Sequence, residues 1–337
     1  MPGKRTRTAS SAPTLKDVAK EAGVSLATAS YALNGKGAIS KQVTERVREV
    51  VKQLGYQPNT AARTMKTGSS ASIGLLLPDF RYPLFSELAT EIEQVCAQQH
   101  YSVFFANSYA KAETEIARTQ RFAQSGADGL IWFPGSQQNT INNATHGMPV
   151  VVIDRDLTDF DVVTPDHFDG GVQQATHLLG LAHQQIGLIS GPRHVDNMQL
   201  RINGTVKVVE DSDAEIKWIC ETDFTDTLSI EAKTLLNKKN VTAIIAGNDT
   251  IALNIIRYAA TIGLRVPEDL SVVGFDDVAW CEFMTPQLTS IKMPLDEMAE
   301  EAVSMLLRRK ENPMASRKKC TVGVSLTVRH STAPLSV

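Results

Sequence analysis

With 337 residues, 42% of them hydrophobic and 21% charged, the chain has ordinary globular composition and is too long for one average domain, so two or three are expected. The net charge of −3 hides an asymmetry: residues 1–68 hold 12 Lys/Arg against 4 Asp/Glu and the remainder 22 against 33, which suits a head that binds a polyanion and a body that does not. No apolar run reaches the roughly 18 residues of a membrane span, no apolar leader opens the chain, and Cys96, Cys220, Cys281 and Cys320 lack CxxC spacing, so no membrane partner, zinc site or disulfide framework is expected and the cytoplasm is the expected compartment.

Residues 1–13 are polar, basic and Ser-rich and read as a disordered arm. Thr14 caps a first helix whose apolar stripe is Leu15, Val18, Ala19 and Ala22. Gly23 stands where the chain must turn, because it tolerates positive φ. Ser25 caps a second helix with Ala29, Ala32 and Leu33 as its stripe. Two short helices around a tight turn fit a helix-turn-helix, and equally any αα-hairpin of a helical core. A third helix follows Ser40, with Val43, Val47, Val50, Val51 and Leu54 on its apolar face, and Gly55 to Pro58 end it, which makes residues 14–58 a self-sufficient head. Asn59 can cap a further segment, residues 60–66, too short to be helical alone, and residues 68–72 read as a linker. A marginal helix at this place suits folding coupled to DNA binding.

From Ser72 the texture changes. Strands are expected at Ile73–Pro78, Ser102–Ala106, Gly129–Phe133 and Pro149–Ile153, with helices at Phe85–Gln98 and Glu113–Ser125 between them. The alternation restarts after Pro165 with a helix at Gly171–Leu181 and a strand at Gln185–Ser190. Strands at Lys217–Cys220, Ala243–Ala246 and Leu270–Gly274 then alternate with helices at Leu228–Lys238 and Asp249–Thr261, and the tail holds a helix at Leu295–Arg309 and one last strand at Thr321–Arg329. Near-continuous apolar strands separated by helices mean doubly wound parallel sheets. Two such units describe a two-lobed body, residues 72–337, with lobe 1 about 72–164 and 293–320 and lobe 2 about 165–292 and 321–337. Its ligand site is expected at the carboxyl ends of the strands.

The phrases TLKDVAKEAGVSLATASYALNGKGAIS and TERVREVVKQLGYQPNTAAR resemble the head and hinge of the LacI/GalR family of bacterial transcriptional repressors. IGLLLPDFRYPLFSEL, ADGLIW, PVVVIDRD, HLLGLAHQQIGLISGP, AIIAGNDTIAL, GLRVPEDLSVVGFDD and LTSIKMP follow in the family's order along nearly the whole chain. The resemblance implies an all-α helix-turn-helix head on palindromic operator DNA, an α/β body like a periplasmic binding protein, a homodimer, and a small effector between the lobes that governs residues 59–71 as a hinge.

It further implies that Leu26, Ala27 and Tyr31 read bases, by apolar contact rather than bidentate hydrogen bonds. Thr28, Ser30 and Asn34 then suit phosphates, with the capping residues Thr14, Ser25 and Asn59 beside them. Met65 stands where the family usually has Leu and would wedge into a central base step. Ala62 would keep paired hinge helices close, and Arg63 would meet a phosphate. The effector candidates are Asp79, Leu84, Phe85, Arg201, Phe224, Asn248 and Asp276, with Asp154, Arg155 and Asp166 behind them. His167 and Asp169 stand in a phrase where the family usually has Asn after Asp. Asp79 and Asp276 could equally cap the following helices, and Phe85 could be core.

Two carboxylates, an Arg, an Asn and aromatic faces suit a sugar or sugar derivative. The alternatives are a nucleobase-responsive corepressed regulator and a solute-binding protein without DNA function. No GxSxG, P-loop, HExxH or GxGxxG motif accompanies the strands, so neither an enzyme nor a cofactor is expected. With no heptad run after the last strand, a dimer is expected, its contacts on the helices Phe85–Gln98 and Glu113–Ser125.

Overall fold

The computed structural model describes residues 13–34, 39–57, 69–135 and 138–335, in two units divided between Ser70 and Ala71. In the first unit, α1 (Leu15–Glu21), α2 (Leu26–Asn34) and α3 (Lys41–Leu54) enclose Val18, Ala22, Ala32, Val47 and Val50. Thr14 and Asp17 form a reciprocal capping box: the Asp17 N–H donates to Thr14 Oγ1 at 3.4 Å and the Thr14 N–H to Asp17 Oδ2 at 2.8 Å. Gly23 has φ +64°, so the turn between α1 and α2 requires the freedom of glycine there. Leu54, expected on the apolar face of α3, is 37% exposed. Residues 59–66 lie outside the described residues.

The second unit holds two six-stranded sheets. Lobe 1 contains β1 (Ser72–Leu77), β2 (Ser102–Asn107), β3 (Gly129–Trp132), β4 (Val150–Ile153), β5 (Asp161–Pro165) and β11 (Lys319–Val322), in the order β11-β5-β4-β3-β1-β2. Lobe 2 contains β6 (Gln185–Ser190), β7 (Glu215–Glu221), β8 (Ala243–Ala246), β9 (Ser271–Asp276), β10 (Thr289–Lys292) and β12 (Ser325–Thr327), in the order β12-β10-β9-β8-β6-β7. The two orders correspond strand for strand. All pairings are parallel except that of β12 with β10.

Helices α4 (Pro83–Gln98), α5 (Ala112–Gln124) and α11 (Leu295–Glu311) pack in lobe 1. In lobe 2 run α6 (His167–Gly180), α7 (Asp196–Glu210), α8 (Ile230–Asn237), α9 (Asp249–Thr261) and the single turn α10 (Trp280–Phe283). The chain therefore passes between the lobes three times: after β5, after β10 and between β11 and β12.

Four differences from the sequence reading matter. The last strand is two, β11 and β12, broken at Gly323 and Val324 so that each half joins a different sheet. β5 is a strand although Asp161 and Pro165 argue against one; Arg308, Arg309 and the Lys318 N–H neutralise the buried Asp161 carboxylate. β10 completes lobe 2 beside β9.

The fourth is α7, a full helix despite Asn197, Asn203, Gly204 and β-branched Val206, Val208 and Val209, all weak helix formers. Tertiary packing overrides that propensity. A Cβ on Gly171 of α6 would lie 2.1 Å from the Arg201 carbonyl oxygen, and one on Gly204 of α7 would lie 2.0 Å from that of Phe168. Glycine at both positions lets the two helix backbones touch.

Candidate functional site

In the head, the sequence-predicted residues fall on the first turns of α2. Leu26 is 53% exposed and Tyr31 50%, with Ala27 also at the surface, so three apolar or aromatic side chains project from a helix whose opposite face is core. Ser25 Oγ accepts the Thr28 N–H at 3.0 Å and shares a hydrogen bond with Thr28 Oγ1, so both hydroxyls hold the start of α2. The Thr14 hydroxyl donates to Asp17, which holds that carboxyl below its ordinary range. Ser30 is half-buried. The Asn34 side chain, Asn59, Ala62, Arg63 and Met65 lie outside the described residues.

In the body, the carboxyl ends of the strands converge where the lobes meet. Asp154 follows β4 and Asp276 ends β9, the corresponding strands of the two sheets. Both have positive φ, +70° and +110°, a strained conformation for a non-glycine residue that places their side chains at the junction. Asp276 Oδ1 lies 3.5 Å from Arg201 Nη2, and its Oδ2 accepts the Tyr82 hydroxyl at 2.5 Å. Arg201 is 6% exposed. Its Nη1 donates to the Gly247 carbonyl, its Nε to His167 Nδ1 at 3.2 Å, and its guanidinium carbon stands 3.4 Å from the centre of the Phe275 ring.

His167 continues the chain of contacts. Burial lowers its pKa, so the ring is neutral near pH 7. Its Nδ1 accepts from Arg201, which assigns the proton to Nε2, and Nε2 donates to Asp154 Oδ1 at 2.8 Å. Asn197 Nδ2 donates to Asp154 Oδ2 at 2.6 Å, and Arg155 Nη1 donates to the same oxygen. Burial alone would raise the Asp154 carboxyl, but Arg155, His167 and Arg201 outweigh it and hold it below the ordinary range. Burial pushes Asp276 up to about 6 against the pull of Arg201. Burial and the Asp276 charge push Asp249, behind it, to about 8.

Four hydrogen bonds therefore tie the lobes together: Tyr82 to Asp276, Asn197 and His167 to Asp154, and the Ala279 N–H to Glu87 Oε1 at 3.0 Å. A cavity of about 430 Å3 adjoins Asp276 and Glu87, lined further by Thr90 and Glu91 of α4 and by Lys292 and Asp296. Phe85 packs edge-on against Phe133, ring centres 4.9 Å apart, and against Tyr82. Such a junction can grip a small polar ring with donors and acceptors from both lobes, so that ligand contacts and lobe closure share one free energy.

Of the body residues expected from sequence, Arg201 and Asp276 meet in this cluster, and Asp154, Arg155 and His167 join them. Phe85 stands at its edge. Asp79 does not take part: Arg81 Nε and Nη2 occupy both its oxygens. Leu84 is buried in the hydrophobic core. Asn248 Oδ1 caps α9 by accepting the Ile251 N–H, and Asp166 caps α6 through the Asp169 N–H, with Asp169 Oδ2 turned to Gln173. Phe224 is 47% exposed, its ring against Gly191.

Sequence reasoning missed Tyr82 and Asn197. Asn197 lies four residues before Arg201, a one-face spacing that becomes visible only once α7 is known to be a helix. Tyr82 offered a polar-tipped aromatic directly before the helix-opening Pro83.

Residues 14–59 match the bacterial regulatory proteins of the lacI family, and residues 175–332 match the periplasmic binding protein-like domain. The HTH-type transcriptional repressor PurR of Proteus mirabilis is 32% identical over 330 residues, covering 95% of this chain and 97% of that protein. The repressor of the same name from Salmonella arizonae is 32% identical over 331 residues, with the same coverage. Among solved structures, the Lac repressor dimer bound to operator and the anti-inducer ONPF superposes with a TM-score of 0.84 at 27% identity, over 96% of this chain and 100% of that one. A LacI family transcriptional regulator of Enterococcus faecium with bound ribose superposes with a TM-score of 0.69 at 28% identity, over 79% of this chain and 100% of that one. The chain thus belongs to the lacI family of bacterial regulatory proteins, as a DNA-binding transcriptional repressor with a periplasmic-binding-protein-like, ligand-binding body.

Proposed function

We propose that this repressor is controlled by a small sugar or sugar derivative held between the lobes by Arg201 and Asp276, with Tyr82, Asn197, His167 and Asp154 around it and Phe85 at the edge. The observation that carries this reading is the buried Arg201–Asp276 pair within a network that spans both lobes. A ligand gripped there biases lobe closure, and closure biases the hinge, residues 59–71, which joins the head (14–58) to the body (72–337). The bound ribose of the Enterococcus faecium regulator supports a sugar.

A nucleobase is the second reading. The half-buried Phe85 ring favours it, and the PurR repressors, similar over almost the whole chain, are not named for a sugar. Thermal-shift measurements on the full chain against sugars, sugar derivatives and nucleobases test both. A ligand that raises the Tm should lose its effect in Arg201→Ala and in Asp276→Ala. A hit untouched by either substitution would place the site elsewhere.

On DNA, Leu26, Ala27 and Tyr31 read bases of a palindromic operator from a homodimer in the cytoplasm. Thr28, Ser30 and Asn34, with Thr14, Ser25 and Asn59 near them, set the register on phosphates, while Met65, Ala62 and Arg63 serve the hinge. Tyr31→Ala should weaken operator binding without changing affinity for random duplex, by about 1–3 kcal/mol, in a fluorescence titration. Equal loss on both duplexes would remove Tyr31 from base reading.

A further inference from the structure

The body begins at Ala71, directly before β1, and this residue is held in an unusual conformation. Its φ is +52°, a left-handed backbone that an alanine keeps only where its surroundings impose it. Both of its backbone polar groups are engaged: the N–H donates to Asp128 Oδ2 at 3.1 Å, and the carbonyl accepts the Ser102 N–H at 2.9 Å. Asp128, just ahead of β3, also donates its own N–H to the Ser72 carbonyl at 2.8 Å. Its side chain is 5% exposed, and the same Oδ2 accepts from Lys310 Nζ at 2.8 Å. One buried oxygen is thus shared between the first residue of the body and the last turn of α11.

Lys310 is itself fixed. Its Nζ donates to the Tyr101 hydroxyl at 2.8 Å and stands 5.2 Å from the centre of that ring. The Tyr101 N–H in turn donates to the Cys96 carbonyl at the end of α4. The opposite end of α11 lies at the lobe junction: Leu295 follows the crossover residues Met293 and Pro294, and the Met293 N–H donates to the Asp276 carbonyl at 3.4 Å. The 17 residues between span about 25 Å, and Met298, Val303 and Leu306 seat that length in the core. A helix packed in this way moves as a rod, so a displacement at one end is delivered at the other. The ion pair could brace lobe 1 without Ala71; the oxygen it shares with a strained residue ties it to the path of the chain.

We propose that Lys310 is a positioning residue for operator binding: through Asp128 it fixes the direction in which the chain leaves β1 toward the hinge, residues 59–71. This rests on the reading of that segment as the hinge. Without the ammonium, the Asp128 carboxylate is free to turn from the Ala71 N–H, Ala71 relaxes to negative φ, and the chain leaves the body at another angle.

Fluorescence titrations of the full chain test it, against a duplex that the parent chain selects from a random-sequence pool and a scrambled duplex of the same composition. Lys310→Met should bind the selected duplex at least about tenfold more weakly and the scrambled duplex within about twofold, because a misdirected hinge leaves the phosphate contacts of the head intact. Lys310→Arg, which keeps the charge and a donor for Asp128, should recover most of the loss. Two glycines inserted between Ser70 and Ala71 separate the hinge from the direction set at Ala71. The insertion should itself cost about tenfold on the selected duplex, and Lys310→Met should then add less than about twofold.

Equal losses from Lys310→Met with and without the insertion mean a loosened lobe rather than a misdirected chain, and overturn the proposal. A Lys310→Met chain that binds like its parent, while the insertion is costly, overturns it and leaves the hinge reading standing. An insertion without effect removes the hinge reading, and the proposal with it. Tyr101→Phe takes one acceptor from Lys310 and leaves the ion pair; it carries the same comparison, with a loss of about threefold, should Lys310→Met not fold.

Discussion

His167 shows how much one residue decides at the lobe junction. A neutral imidazole accepts on one nitrogen and donates on the other, so it links Arg201 to Asp154 without adding a charge to a buried site. An Ala there leaves a cation and a carboxylate each short of one partner. His167→Ala should destabilise the body by about 2–4 kcal/mol in urea unfolding, and a loss under 1 kcal/mol would mean that the two groups re-pair directly. The carboxyls behind it set a pH dependence. Asp276 and Asp249 titrate near 6 and 8 in the folded chain against an ordinary 3.8, so between those limits the folded state binds more protons than the unfolded one. Their contribution to stability is whole below about pH 4 and is lost as the pH rises through 6 and 8. Asp249→Asn should flatten the upper part of that slope in melts taken from pH 5 to 9, and an unchanged slope would show that Asp249 stays ionised. Neither effect was legible in the sequence, where Asp249 reads as the first residue of a helix and His167 as a departure from a family phrase.

At the scale of elements, the pair α6–α7 positions the site. Arg201 and Asn197 sit on one helix and His167 on the other, and their distances depend on backbones brought into contact at Gly171 and Gly204. Gly204→Ala must push α7 away from the Phe168 carbonyl. The expected cost is about 3 kcal/mol, read by urea unfolding, with ligand-induced thermal shifts lost in parallel because Arg201 moves with its helix. A variant of normal stability would show that the helices have room to part. The sequence reading placed α6, started it four residues late, and passed over α7, because alternation of strands and helices was sought in propensity and α7 has little. Elements whose apolar runs declare themselves were found close to their observed bounds: β6, β8 and α9 match residue for residue, and β1 and β2 are within a residue at each end.

Across the whole molecule, the charge asymmetry assigns the work. A head with 12 basic against 4 acidic residues, joined to a body with 22 against 33, concentrates attraction for DNA on one unit. Operator affinity should therefore fall steeply with salt, on the order of a thousandfold between 50 and 200 mM for about six phosphate contacts, in titrations at several salt concentrations. A shallow slope would mean that base contacts rather than phosphates carry the affinity. The sequence by itself determined the helix-turn-helix, through caps, a turn glycine and helical periodicity that act within a few residues. It also determined the two α/β units, because strands buried on both faces must be apolar throughout. Only the tertiary structure decided that the final apolar run serves both sheets, that a helix of poor propensity carries the central arginine, and that Tyr82 meets Asp276 and Asn197 meets Asp154. These depend on contacts between residues up to 194 apart in the chain, and no local pattern records a partner at that distance.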